Sequence, residues 1–208
     1  VKTLNYVKSQ EELRLMLGTP SLRGQNKVIS KIDEHCKDFI AHSPFVTIAT
    51  SDHEGNCDSS PRGDEPGFVY VMDDHHLVIP DRPGNKRVDS MFNILSNPKV
   101  GLLFLIPGMD ETLRINGEAF IIKDEEVLVN MAVGRKVPSL GILVKVEQCY
   151  MHCGKAFKRS GLWNPESWAK KESLPKAAKI LAAHVNLPEM TEDRIANDLI
   201  EGYKNKLY

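Results

Sequence analysis

A mainly β, α+β domain is expected, in which a small antiparallel barrel is flanked by helices at both ends of the chain. Three features of the 208 residues predict it: apolar residues recur at helical spacing near both termini, the middle consists of short extended runs punctuated by turn residues, and no composition shift or repeat marks a domain boundary. The expected organisation is one domain over 1–208, with N-terminal helices over 1–43, the barrel over 44–163 and C-terminal helices over 164–208.

Residues 9–42 read as helix broken near "GTPSLRG", with Val28, Ile32, Cys36, Phe39 and Ile40 at helical spacing and Pro44 as the stop. From Phe45 the period becomes that of strands: "FVTIATS", "GFVYVM" and "HLVIP" are separated by Gly, Pro and Asp clusters, and "DHEGN" has the residues of a hairpin loop. A helix interrupts this meander, since Val88, Met91, Phe92 and Leu95 form one apolar stripe that ends at Pro98. "VGLLFLI" is apolar on both faces and therefore central. "TLRINGEAFII" alternates, with Leu113, Ile115, Gly117 and Ala119 on one side and Arg114, Asn116 and Glu118 on the other. A helical piece over 124–131 precedes a last strand, "LGILVKVEQCYM". Two helices follow, "LPKAAKILAAHV" and "TEDRIANDLIEGYKNKLY"; in the second, Ile195, Leu199, Tyr203 and Leu207 step by four behind a Thr191 cap. About six strands of this kind curl and close.

Composition limits the function. Hydrophobic residues make up 41% and charged residues 26%, with a formal net charge of −1, so the cationic excess that binds a phosphate backbone is missing and nucleic acid is not an expected partner. No apolar run reaches the roughly 18–20 residues that span a bilayer and the start of the chain has no signal-peptide core, which leads us to expect a cytoplasmic protein with no membrane partner and four reduced cysteines.

The candidate chemistry lies in three basic clusters. "PDRPGNKR" places Arg82, Asn85, Lys86 and Arg87 just before a helix whose first-turn N–H groups attract anions. "SSPRGDEPG" adds Ser59, Ser60 and Arg62, which suit a phosphate clamp. "HCGKAFKRSGLW" combines Lys155, Lys158, Arg159, Ser160 and Trp163, a set able to stack on a planar ring and donate to its oxygens. Two clamps on adjacent elements suggest one phosphorylated ligand. Cys149, His152 and Cys153 lack a second ligand pair, so no metal is expected. The glycine fingerprints of dinucleotide and nucleoside-triphosphate folds and the G-x-S-x-G elbow are missing as well.

The ordered string from "FVTIATSDHEGNCDSSPRGDEPGFVYVM" through "IPDRPGNKR" to "NPKVGLLFLIPGMDETLRINGEAF" resembles the pyridoxamine 5′-phosphate oxidase-like family of FMN-binding split β-barrels, over residues 40–163. The resemblance implies a homodimer with FMN in clefts between subunits and an oxidoreductase activity on a small molecule. It assigns Ser60 and Arg62 on one side, and Asn85, Lys86 and Arg87 on the other, to the phosphate. Pro80 and Asp81 would edge the flavin ring, Thr112 and Arg114 would lie near it, and the segment containing Lys155, Arg159, Ser160 and Trp163 would close the site across the dimer. Where the family's oxidase proper has "RxVLLK" and "SRK", this chain has "CDSSPRGD" and "GNKR", and the oxidase's carboxy-terminal substrate signature is replaced by helices. The family also contains deazaflavin and haem binders, so a carrier or sensor without turnover is the alternative expectation, and a purely structural dimerisation domain is the third.

Overall fold

The computed structural model describes residues 4–208, so the first three residues of the expected N-terminal helical region lie outside the described residues. The strands are β1 (Phe45–Ser51), β2 (Cys57–Gly63), β3 (Tyr70–Val71), β4 (His76–Pro80), β5 (Lys99–Leu105), β6 (Thr112–Ile122) and β7 (Gly141–His152). All pair antiparallel in one sheet of order β2-β1-β5-β6-β7-β4-β3. Alternating side chains of β1, β4, β5, β6 and β7, among them Ile48, Ile79, Phe104, Ile115 and Val144, enter a single core with Phe39 and Ile40. A flat sheet could not gather one core from both of its ends, so this one curls around it.

The long strands β6 and β7 shift register between Asn116 and Gly117. At that point the Lys145 carbonyl comes so close that a Cβ on Gly117 would collide with it. The glycine is what lets the ladder bend there. β5 is central, as expected, but asymmetric: Val100, Leu102 and Phe104 are buried whereas Leu103 and Leu105 are half-buried.

The N-terminal helical reading holds in part. Helices α1 (Gln10–Leu17) and α2 (Leu22–Asn26) are separate, and the chain between α2 and α3 (Glu34–His42) is not helical. Ile29 exchanges backbone hydrogen bonds with Cys149 of β7 at 3.0 and 2.7 Å, which spends on the sheet the groups a helix would need. The next helix starts only where Asp33 accepts from the Cys36 N–H at 2.8 Å. "GFVYVM" is likewise mostly irregular, with only Tyr70–Val71 pairing as the short edge strand β3.

α4 (Asp89–Ser96) lies across β1, β2 and β6. Its buried side is Ser90, Met91 and Ile94. That corrects the expected stripe: Phe92 and Leu95 are 64% and 74% exposed, and Val88 stands before the helix in a left-handed conformation. α5 (Glu125–Leu128) is capped by Asp124, and α6 (Lys155–Ser160) follows β7. α7 (Ala177–Val185) and α8 (Glu192–Asn205) pack on each other. Of the expected four-residue steps, Ile195 is buried, Leu199 half-buried and Tyr203 exposed on α8, while Leu207 lies beyond the helix end and is exposed.

Candidate functional site

The sheet ends at β2 on one side and β3 on the other, and side chains at β2 meet those of the chain just after β4 without a backbone ladder between them. Opposed residues of an antiparallel pair project to the same face. Arg62, Ser60 and Asp58 of β2 oppose Val46, Ile48 and Thr50 of β1, all three of which are buried. The inward face of β2 is therefore a polar row bordering the apolar core. A polar row on an edge strand stays solvated only if the barrel remains open beside it, and it does.

The opposite wall is the β4–α4 connection. Pro80 ends β4 buried against Gly141, and Asp81 to Arg87 then run along the opening. Arg62 Nη1 lies 3.5 Å from Asp81 Oδ1. Arg82 Nε donates to Asp64 Oδ2 at 2.6 Å, an ion pair in which the carboxylate is 3% exposed. Ser90 Oγ donates to Asp58 Oδ2 at 2.6 Å, which ties the start of α4 to β2. Between these walls is a cleft of about 440 Å³, lined by residues 58–62 and 81–91. That volume is in the range of small-molecule sites.

Its electrostatics follow from which charges are already occupied. Arg82 is held by Asp64 and lies 5.9 Å from the centre of the Tyr208 ring, and Arg87 Nε donates to Asp89 at 2.7 Å. Burial pushes the Asp81 carboxyl above its ordinary range, against the pull of Arg62. Burial also works against ionised Asp64, but the Tyr208 hydroxyl, the Glu65 N–H and Arg82 outweigh it and hold that carboxyl below the usual range. Arg62 Nε is buried and without a hydrogen-bond partner among the described residues. A buried guanidinium donor with nothing to donate to costs free energy that an anion in the cleft would recover.

The lip of the cleft is strained. Lys86 and Val88 have φ of 61° and 51°, and a β-branched residue in that region is rare. Asn85 Oδ1 accepts from the Arg87 N–H at 3.0 Å and holds the turn. No side chain caps the start of α4, whose first residues Asp89 and Ser90 line the same cleft as Lys86 and Arg87, while the Met91 N–H donates to the Val88 carbonyl at 2.9 Å.

Six of the expected site residues, Ser60, Arg62, Asp81, Asn85, Lys86 and Arg87, thus line one cleft, with Pro80 behind it. The others stand apart within one chain. Thr112 is fully buried at the start of β6, and Arg114 is exposed, its guanidinium 5.8 Å from the centre of the Tyr150 ring. Lys155 and Arg159 are exposed on α6. Ser160 Oγ donates to the Phe157 carbonyl at 3.0 Å. Trp163 stacks on Phe157 at 5.8 Å and donates to the Met109 carbonyl at 2.9 Å. A larger cavity of about 730 Å³, between residues 64–73 and 130–134, is reached by Arg82 alone among the residues named in the three basic clusters. Sequence reasoning missed Asp58, Ser90 and the Arg82–Asp64 pair. The alternation in "CDSSPRG" puts Asp58 on the same face as Ser60 and Arg62 and could have disclosed the first of these. Among the described residues, no cluster of three or more His, Cys, Asp or Glu is placed to hold a metal.

Residues 32–153, more than half of the chain, match the family model described as pyridoxamine 5′-phosphate oxidase. The chain belongs to this family. The match ends just before α6, so the oxidase-like part is the barrel and α3, and the helices beyond residue 164 are additional to it. No curated protein matches the sequence. Among solved structures, HupZ of Group A Streptococcus is 24% identical, covering 58% of this chain and 93% of that one, with a TM-score of 0.47. An FMN-binding protein of Syntrophomonas wolfei is 12% identical over 55% and 81%, with a TM-score of 0.44. The heme storage protein HutZ of Vibrio cholerae is 12% identical over 59% and 94%, with a TM-score of 0.43.

Proposed function

We propose that the protein binds FMN in the seam cleft and is an FMN-dependent oxidoreductase acting on a small molecule. The observation that carries this reading is the buried, unpartnered Nε of Arg62 on the same wall as Ser60, facing Asn85, Lys86 and Arg87 across about 440 Å³. A phosphate dianion needs several convergent donors, and this cleft presents guanidinium, hydroxyl and ammonium groups together.

When bound, FMN would supply hydride and electron transfer. The chain's own contribution is positioning and charge. Arg62 and Lys86 hold the phosphate, and Arg87 reaches it from the Asp89 pair. Ser90 keeps Asp58 turned toward α4, which limits repulsion inside the cleft. Asp81, whose carboxyl pKa is raised by burial against the pull of Arg62, stands where the ring edge would lie beside Pro80.

In this reading the segment containing Lys155, Arg159, Ser160 and Trp163 closes the site from the second subunit of a homodimer, while Arg114 lies near the ring and Thr112 stays buried in its own chain. Equilibrium sedimentation checks that part, with a mass of twice 23.3 kDa expected. A fluorescence titration of FMN with the purified protein tests the binding itself: saturable quenching is expected, and its absence would reject the proposal. Stopped-flow reoxidation of the reduced flavoprotein separates an enzyme from a carrier. Reoxidation by some acceptor faster than that of free flavin is expected of an oxidoreductase, whereas no acceleration with any acceptor would favour the carrier.

A further inference from the structure

We infer that Cys36 and Cys149 form a redox modification site, two thiols placed to close a disulfide between α3 and β7. Their sulfurs are 3.3 Å apart although the residues are 113 positions apart in sequence. Both are free thiols facing each other inside the core, Cys149 fully sealed and Cys36 at its margin with 9% exposure. Neighbouring backbone contacts fix their separation: the Ile29–Cys149 bridge anchors the approach to α3 on β7, and Asp33 caps α3 through the Cys36 N–H. The two sulfurs meet directly, which places one within reach of attack on the other.

The two thiols are chemically unequal. Cys36 sits in the first turn of α3, and the hydrogen bond from Cys149 lowers its pKa, so it is the one that ionises. The same hydrogen bond and its burial push the Cys149 thiol up, so it stays protonated and acts second. With hydrogen peroxide as the oxidant, the Cys36 sulfur attacks one peroxide oxygen; the O–O bond breaks, Cys36 becomes a sulfenic acid and one water leaves. The Cys149 sulfur then attacks the sulfenic sulfur, the S–O bond breaks, and the Cys149 proton leaves with the hydroxyl as a second water. Two thiols are oxidised by two electrons and one peroxide is reduced. The product ties α3 to the strand that leads into residues 152–163.

The test uses the full chain carrying Cys57→Ser and Cys153→Ser, both exposed positions, with wild type alongside. Native protein is treated with hydrogen peroxide, then unfolded in iodoacetamide and digested with trypsin. A linked pair of peptides, residues 32–37 and 146–155, lighter by two hydrogens than their sum and separated by dithiothreitol, is expected. Full alkylation of both cysteines would overturn the inference, and so would Cys36 oxidised without linkage. Neither readout depends on flavin binding.

Discussion

Replacing Arg62 by alanine removes the donor on which the phosphate assignment turns. Its Nη1 is 3.5 Å from Asp81, longer than a strong ion pair, and its Nε has no partner among the described residues, so most of the guanidinium's hydrogen-bonding capacity is available to a ligand. A hydrogen bond to a charged group contributes about 1.5–3 kcal/mol. Two effects favour the upper part of that range. The side chain is only 19% exposed, which limits screening, and its loss leaves the Asp81 carboxyl facing the anion without compensation. An affinity loss of about 2–3 kcal/mol is a roughly 30- to 150-fold rise in Kd. Arg62→Lys keeps the charge without the Nε donor and should fall between the two. The assay is flavin fluorescence quenching, run in parallel with FMN and with riboflavin, which has no phosphate. The expected result is a large loss for FMN and little change for riboflavin. Unchanged FMN affinity, or equal losses for both ligands, would refute the placement of the phosphate at Arg62.

Other perturbations reach different parts of the account. Asp64→Asn leaves Arg82 without its buried partner and should cost about 3 kcal/mol, a fall in Tm of roughly 6–12 °C by calorimetry. In wild type, the depressed Asp64 pKa means that this contribution is complete above the unfolded carboxylate value of about 4 and is lost as pH falls through the folded value, so acid titration of Tm should show a low-pH decline that Asp64→Asn blunts. Tyr208, whose pKa is raised by its bond to Asp64, gives the opposite limb: its contact is complete below the unfolded tyrosine value of about 10 and weakens as pH rises above it, which absorbance of the tyrosinate reads. Gly117→Ala drives a methyl group into the Lys145 carbonyl at the β6–β7 bulge and should destabilise by about 3 kcal/mol, seen as a lowered urea midpoint.

What could be seen in the sequence and what could not have separate physical causes. Strands with one-sided burial announce themselves by period, as Leu113, Ile115 and Ala119 do on β6. The cleft-lining groups were legible because phosphate clamps need cationic and hydroxyl side chains beside turns, and "SSPR" and "GNKR" supply them. The stripe on α4 misled because Phe92 and Leu95 have the spacing of core residues but face solvent, and periodicity fixes a face without saying what covers it. Residues 28–33 were read as helix because local spacing does not register the backbone bridge from Ile29 to a strand 120 positions away. The seam pairs Arg62–Asp81 and Arg82–Asp64 escaped for the same reason, since they depend on how β2 meets the chain just after β4 in a curled sheet.

The central claim, flavin in the seam cleft, is tested most directly by the absorption spectrum of the protein after saturation with FMN and removal of free ligand, with mass spectrometry of whatever heat then releases. A yellow protein that retains FMN in a one-to-one ratio with the chain, and loses it in Arg62→Ala, is the predicted result. A colourless wild-type protein that releases no FMN would contradict the account.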